Sequence, residues 1–314
     1  MVDLRRLGVL RAVAHYGTVT AAAQALHLTP SAASQQVRTL ARELGVLLLE
    51  PDGRRVRLTA AARDLLVHAD AIEERWQLAQ SELRRHDERL AGTIRLCGVP
   101  TAVSTLLAPT VVALAHDHPT LSVALLECEP DVAFDRVFSG ESDLAVIDAT
   151  PASPPLNDRR FEQRSLLVDP FELLVPAGHP LAHSDAVSLI DAAAEQWILG
   201  LPETSYRQHT LSACNAAGFT PRIAHETREW SVSATLVAHG LGVALVPRLA
   251  RLPGGLDVVR RRLDGTPLPV CRFMTCTRRG GRSDHRLQAV LTRLAAVAET
   301  LTSDAGGIEE DRAS

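Results

Sequence analysis

The tightest constraint on the fold lies between Thr59 and Leu90, a stretch free of glycine and proline that Gly92 ends. Its apolar residues Leu65, Ala69, Ile72, Trp76, Ala79 and Leu83 are spaced 4, 3, 4, 3 and 4 apart, and Ala62 and His86 continue the register. That spacing draws one narrow apolar stripe along a helix, the heptad pattern of a two-helix seam. Glu73, Glu74, Arg75, Glu82, Arg84, Arg85, Asp87 and Glu88 crowd the remaining surface. A lone helix cannot bury the stripe. The pattern therefore predicts a long helix paired with the same helix of a second copy. Packing on the chain's own C-terminal domain is the alternative.

At 314 residues the chain suits two or three domains, and 46% hydrophobic residues are enough for real cores. No apolar run reaches the roughly 18–20 residues of a membrane helix. The start, MVDLRRLGVLRAV, is broken by charge and lacks a cleavage site, so the expectation is a cytoplasmic protein away from membranes. The net charge of -4 hides an asymmetry. Residues 1–58 carry eight arginines against four acids, whereas residues 92–314 carry twenty against twenty-six. A basic head on an acidic body fits a phosphate-binding module joined to something else. The five cysteines, Cys97, Cys128, Cys214, Cys271 and Cys276, form no CxxC pair. Neither a disulfide framework nor a zinc site follows. Cys271 and Cys276 are open to a redox reading, with idle thiols as the plainer one.

In the head, Leu4, Leu7, Leu10, Val13 and Ala14 recur at helical spacing behind Asp3, and Gly17 stops the helix. Thr20 reads as the cap of a short second helix over 21–26. Thr29-Pro30 opens a third, which runs to Leu44 and Gly45. Two short helices joined by a tight turn make a helix-turn-helix, whose second helix enters the DNA major groove. In that helix Ala33, Val37, Leu40 and Leu44 form the inward stripe, and Ser31, Ser34, Gln35, Arg38 and Arg42 share the other face. Hydroxyls and amides near the helix start suit base edges and phosphates, and cations further along suit phosphates. Taken alone, that face also suits a solvated surface. Residues 46–49 and 55–58 flank the turn Pro51-Asp52-Gly53, adding a hairpin wing with Arg54, Arg55 and Arg57 near its tip. The candidate DNA contacts are Thr20, Thr29, Pro30, Ser31, Ser34, Gln35, Arg38, Arg54 and Arg55.

From residue 93 strands alternate with helices. Strands at 93–99, 121–127 and 143–147, with helices at 100–116 and 131–139, predict a parallel sheet with crossover helices. Further strands at 164–168, 171–175, 197–199, 243–246 and 270–277 alternate with helices at 189–195, 206–217, 231–239 and 284–301. Two α/β lobes fit this, one from 92–163 and 266–301, the other from 164–265. The expected division is a winged helix-turn-helix over 1–58, a linker helix over 59–91, a sensor over 92–301 and a disordered tail over 302–314.

The segment from Leu10 to Leu58 resembles the DNA-binding domain of LysR-type transcription regulators. It carries Gly17, Thr20, Ala22, Ala23, Leu26, Ser31, Ser34, Leu40, Glu43, Leu44, Gly45 and Leu58-Thr59. The runs VPAGHPL at 175–181, GFTP at 218–221 and LVAHGLGVALVP at 236–247 resemble the family's sensor domain. Leu49 and Pro51 depart from the family's Phe and Arg, Ala41 from a common Glu, Ala62 from the usual Gly, and Pro30 from a frequent Gln. The resemblance implies an α/β chain with an N-terminal winged helix-turn-helix, a long linker helix and a two-lobed, periplasmic-binding-protein-like effector domain. It also implies sequence-specific binding of double-stranded DNA as a homodimer or dimer of dimers. A small-molecule effector would sit between the lobes, and RNA polymerase is the partner if the regulator activates.

Independently, parallel α/β sheets bind ligands beyond the C-terminal ends of their strands. After the first strand, Thr101, Ala102 and Ser104 offer hydroxyls and free N–H groups that suit a carboxylate. Asp148 follows the third strand and matches an anion badly. Thr204 and Ser205 should face the same cleft from the other lobe, with Trp230, Ser231 and Val246 at its edge. Helix capping is the competing reading for Thr101 and Ser231.

An enzyme is the first rival reading. The chain has no nucleophile elbow, P-loop or HExxH, and Gly240-Leu241-Gly242 follows a helix, where a dinucleotide fingerprint follows a strand. No catalytic residue, cofactor or metal ligand is assigned. A stand-alone solute-binding protein is the second rival, and the basic head argues against it.

Overall fold

The computed structural model describes residues 3–52, 55–84, 90–265 and 268–310, leaving aside the side chains of 55 and 303–310. Helix α1, Leu4–Tyr16, starts where the Asp3 carboxylate accepts the Arg5 N–H at 2.9 Å and stops at Gly17, in the left-handed region at φ 73°. Helix α2, Val19–Ala25, is capped by Thr18, whose Oγ1 accepts the Ala21 N–H at 3.1 Å. This corrects the assignment to Thr20, which lies exposed in the first turn. Thr18 already takes the extended conformation of a cap directly after Gly17, so the helix starts sooner. Helix α3, Pro30–Leu44, has its expected cap at Thr29 and stop at Gly45. Ala33, Val37 and Leu40 are buried, but Leu44, in the last turn, is 37% exposed.

Strands β1, Leu49–Asp52, and β2, Arg55–Leu58, pair antiparallel with Leu49 opposite Leu58 and Asp52 opposite Arg55. Pro51 and Asp52 thus belong to a strand and not to the turn. Pro51 is tolerated because a two-stranded wing consists of edges. Arg54, expected near the tip from the sequence, lies outside the described residues.

Helix α4 is Ala60–Arg84. Thr59 starts it, accepting the Ala62 N–H at 3.1 Å while donating to the Leu47 carbonyl at 2.6 Å. The heptad stripe is divided. Ala62 and Ala69 are buried and Leu65 half-buried against the core of α1 and α3. Ile72 is 42%, Trp76 52% and Leu83 69% exposed, with Ala79 half-buried between them. The stripe read as one seam therefore serves the head in its first half and stays open in its second. Ala62 and Ala69 are small enough to let α1 approach. His86 lies outside the described residues. A different face of α4 packs on the sensor: Ser81 is buried and Arg84 pairs with Asp284 at 2.7 Å.

The sensor continues with β3 Gly92–Gly98, α5 Pro100–Ala102, a π-helical turn Val103–Leu107, α6 Ala108–Asp117, β4 Leu121–Glu127, α7 Pro130–Ser139 and β5 Leu144–Asp148. There follow β6 Phe161–Pro176, β7 Ala186–Ser188, β8 Gln196–Leu199, α8 Ser205–Ala216, β9 Arg222–Glu226, α9 Trp230–Ala238, β10 Ala244–Pro247, β11 Val258–Asp264, β12 Val270–Arg278 and α10 His285–Glu310. Residues 189–195, read as a helix, hold only a 3-10 turn at Leu189–Ala192. Helix α10 runs past residue 301, where the sequence reading ends the folded chain; no proline interrupts residues 302–310.

The main sheet has the order β4-β3-β5-β12-β6-β11-β7, with β10 also on β6. Strands β3, β4 and β5 are parallel as expected. Where the sequence suggested two strands, β6 is one, and it links the lobes: its first part pairs with β12, its second with β10 and β11. Pro170, lacking an N–H, sits where the partner changes, and its carbonyl accepts the Arg248 N–H at 3.0 Å. Strands β8 and β9 form a parallel pair tied to this lobe through Trp197 and Val243. The Gly-Leu-Gly run is a helix stop: Gly240 is left-handed at φ 70°, and a Cβ on Gly242 would lie 2.6 Å from the Gln196 carbonyl oxygen.

Candidate functional site

The polar face of α3 lies open. Thr29, Pro30, Ser31, Gln35 and Arg38 are exposed and Ser34 half-buried, opposite the buried Ala33, Val37 and Leu40. The Thr29 and Ser31 hydroxyls are 3.0 Å apart, and Arg38 Nε lies 3.4 Å from the Ser34 carbonyl oxygen. Thr20 is exposed on the neighbouring helix. Arg55 lies in β2, and its neighbour Arg57 pairs with Glu50 at 2.7 Å across the wing. Exposed hydroxyl, amide and guanidinium groups on the second helix of a helix-turn-helix suit the chemistry of base edges and phosphates.

The head also touches the sensor, which sequence reasoning missed. His15, at the end of α1, stacks on Phe138 with ring centroids 4.0 Å apart, and its Nε2 lies 2.6 Å from Asp135. Arg160 meets the other ring nitrogen. Arg11 binds Asp70 at 2.8 Å and covers the Phe138 ring at 5.3 Å. The sequence separation between His15 and Asp135 leaves no local pattern to find.

The second site lies where the C-terminal ends of β3 and β5 meet the starts of α8 and α9. Its walls include Thr101, Glu129, Asp148, Phe171, Thr204, Ser205, Tyr206, His209, Arg228, Trp230, Pro247 and Cys271. Of the nominated residues, Thr101, Asp148, Thr204, Ser205 and Trp230 converge here. Ala102 is buried behind the wall, Ser104 turns its hydroxyl to the Thr101 carbonyl at 3.1 Å, and Ser231 is exposed outside. Val246 is buried off the wall, and its neighbour Pro247 lines it. These misses reflect helix and strand phase, because adjacent residues point to different faces.

Hydrogen-bond contacts bridge the lobes across this cleft. Trp230 Nε1 donates to Thr101 Oγ1 at 3.2 Å, the Ser205 N–H donates to Glu129 Oε2 at 3.0 Å, and His209 Nε2 lies 3.1 Å from Asp148 Oδ2. Glu129 thus occupies the N–H of Ser205 at the start of α8, one of the donors expected to face a ligand. Burial pushes the Glu129 carboxyl above its usual range, with Asp148 adding to the rise and the Ser205 N–H opposing it. Arg228 pairs with Glu203 and lies 4.0 Å from Glu129. The free space is small, about 40 Å³. A wider hollow of about 450 Å³ shares Phe171 and His209 and opens on the side of Leu189, Ala213 and Leu263. Polar groups of both lobes also line a hollow of about 390 Å³ beside His15, among them Asp131, Arg160, Glu203 and Gln208, but the smaller cleft lies at the C-terminal ends of the strands, where sheets of this kind bind ligands. Glu129, His209 and Arg228 were missed because each stands alone in sequence among ordinary surface charges.

A redox pair of Cys271 and Cys276 does not form. Both sit on β12, five residues apart; Cys271 packs in the core beside Phe171, and Cys276 in a separate cluster with Phe134 and Phe161. Among the described residues no helix is long and apolar enough to cross a membrane.

The profile described as "LysR substrate binding domain" matches residues 87–299, and "Bacterial regulatory helix-turn-helix protein, lysR family" matches residues 4–63. The chain belongs to the LysR family of transcription regulators. Among its relatives, this LysR-family regulator is 30% identical over 247 residues to the transcriptional dual regulator GltC of Bacillus subtilis, covering 78% of this chain and 81% of that one. It is 29% identical over 248 residues to the HTH-type transcriptional regulator ShiR of Corynebacterium glutamicum, covering 78% and 82%. Full-length OxyR from Pseudomonas aeruginosa shares the fold at a TM-score of 0.62 and 22% identity, covering 95% of each chain. CbnR solved with its target DNA does so at 0.56 and 22%, covering 94% of this chain and 100% of that one. The regulator is thus a DNA-binding protein with an effector-binding domain, and its kinship is with transcription regulators and not with enzymes.

Proposed function

We propose that the regulator reads a specific DNA site through Thr29, Pro30, Ser31, Ser34, Gln35 and Arg38 of α3, with Thr20 and the wing arginines Arg54 and Arg55 on phosphates. The observation that carries this reading is the exposed polar face of α3, opposite the buried Ala33, Val37 and Leu40, on the second helix of the helix-turn-helix. In this proposal residues 1–58 read DNA, 59–91 couple two copies and 92–301 sense. The open half of the seam, Ile72, Trp76, Ala79 and Leu83, pairs two chains in the cytoplasm so that two α3 helices reach two half-sites. RNA polymerase is a further partner if the outcome is activation.

The effector occupies the cleft between Thr101, Asp148, Thr204, Ser205 and Trp230. Two carboxylates, the half-buried Glu129 and the buried Asp148, favour a cationic or neutral ligand over the carboxylate that the start of α5 alone suggests. A thermal-shift screen of amines, neutral aromatics, amino acids and small carboxylates tests this. A ligand that binds the native state raises the melting temperature. Thr101→Trp is expected to abolish that shift and leave dimerisation intact; an undiminished shift would move the pocket elsewhere.

A further inference from the structure

The floor of the cleft gathers three side chains of metal-ligand type from three separate elements. Asp148 ends β5, Cys271 lies at the start of β12, and His209 stands on α8 one turn after Ser205. One donor atom of each lies within 4.8 Å of the other two. Asp148 Oδ2 and His209 Nε2 are already 3.1 Å apart. The second carboxylate oxygen, Asp148 Oδ1, is buried and has no hydrogen-bond partner among the described residues, on a side chain only 7% exposed. A buried carboxylate oxygen without a donor is unfavourable, and a cation or a donor relieves it. The surroundings add negative charge. Glu129 faces the same cleft, and Asp169 lies opposite Cys271 in the β12–β6 register. Phe171 holds the His209 ring with centroids 5.6 Å apart.

We propose that Asp148, His209 and Cys271 form a binding site for a divalent transition-metal ion of the zinc class. The proposal rests on the reading of this cleft as the ligand site and names one ligand for it. Sulfur and imidazole donors select transition metals over magnesium and calcium, which prefer oxygen. Bonds of about 2.0–2.3 Å at tetrahedral angles hold ligand atoms roughly 3.3–3.7 Å apart. The Asp148–His209 spacing of 3.1 Å lies a few tenths of an ångström below that, and drawing in Cys271 from within 4.8 Å requires a closure of up to about 1.5 Å. On binding, the Cys271 S–H bond breaks, its electron pair goes to the metal, and the proton passes to solvent. Three protein ligands leave a fourth position open, as in zinc sites that exchange ligands. The free space of about 40 Å³ takes a water or one donor atom of an organic ligand there. Asp148 and Cys271 lie on β5 and β12, which pair with each other in one lobe, and His209 lies on a helix of the other, so the metal staples the cleft shut.

The test uses tag-free, full-length protein stripped with a chelator, then titrated with Zn²⁺ by calorimetry and with Co²⁺ by absorbance. The expected result is one ion per chain and a near-ultraviolet thiolate-to-cobalt charge-transfer band. Cys271→Ser should abolish the band, Cys276→Ser should keep it, and Asp148→Asn and His209→Gln should each weaken binding more than tenfold. Melting curves of the metal-free variants check that they fold; if Cys271→Ser does not, His209→Gln at the cleft surface carries the test. Absence of stoichiometric binding, or a band that survives Cys271→Ser, would overturn the site. An organic ligand that acts through Thr101 in protein that binds no metal overturns the metal site and leaves the effector reading standing.

Discussion

The indole nitrogen of Trp230 donates to Thr101 Oγ1 at 3.2 Å, so the starts of α9 and α5 meet across the cleft. Thr101 is buried, and an unmade bond there leaves a donor or an acceptor without a partner. Trp230→Phe and Thr101→Val should each cost about 1 kcal/mol, with a coupling of about 0.5–1.5 kcal/mol in a double-mutant cycle. Urea unfolding of the four proteins measures it, and additive effects would mean that the bridge contributes nothing.

The divided heptad stripe makes opposite demands on its two halves. Ile72→Asp combined with Trp76→Glu touches only exposed positions, so each chain should stay folded while the dimer dissociates, as read by analytical ultracentrifugation. Ala69→Asp instead places a charge where the side chain is 2% exposed, and should destabilise the head by about 3 kcal/mol or more. Equal behaviour of the two variants would show the division to be wrong.

Burial raises the Asp169 carboxyl to about 6, with the Leu249 N–H and Arg248 opposing that rise. A carboxyl whose folded value is raised binds protons more strongly folded than unfolded. Its favourable contribution is complete below about pH 4 and is lost as pH rises through 6. Relative to Asp169→Asn, the wild type should lose about 2–3 kcal/mol between pH 4 and pH 6. Denaturant titrations across that window check it; a parallel profile for the variant would contradict it.

Asp284 carries the opposite sign. Burial pushes its carboxyl up, but the hydrogen bonds and charge of Arg286, with Arg84, outweigh this and hold it at about 2. Its contribution is complete above about pH 4 and is lost as pH falls towards 2. Asp284→Asn should therefore lower the melting temperature at pH 7 and lower it less and less as pH falls from 4 towards 2, while loosening α4 from the sensor.

Gln35 is exposed on the polar face of α3 that we propose reads DNA. An amide that reads a base edge in the major groove is worth about 1–3 kcal/mol of discrimination. Gln35→Ala should weaken binding to the regulator's own site by that amount and leave binding to unrelated duplex unchanged. An equal loss on both DNAs would make Gln35 a phosphate contact.

Much of this was legible in the sequence, where one period or one cap decides the outcome. Asp3, Gly17, Thr29-Pro30 and Gly45 mark helix ends by local chemistry, and Ala33, Val37 and Leu40 mark a face by spacing. Thr18 and Thr20 show the limit, since two equivalent caps two residues apart are separated only by the backbone at Gly17. In the cleft, Thr101, Asp148, Thr204, Ser205 and Trp230 follow strands or start helices, so topology finds them. Glu129, His209 and Cys271 do not, because nothing local says which helix face or strand face turns inward. The contact of His15 with Asp135 depends on how the head settles on α7, and that is a property of the whole chain.

The most direct measurement is fluorescence anisotropy of double-stranded DNA from beside the regulator's coding region, titrated with wild type and with the Ile72→Asp, Trp76→Glu variant from 50 to 200 mM salt. A dimer that neutralises about 6–10 phosphates should lose roughly 10³–10⁵ in affinity over that range. The dissociated variant should fall to the level of unrelated DNA at every salt. Salt-independent binding, or equal affinity of the variant and the wild type, would contradict a DNA-reading dimer joined through α4.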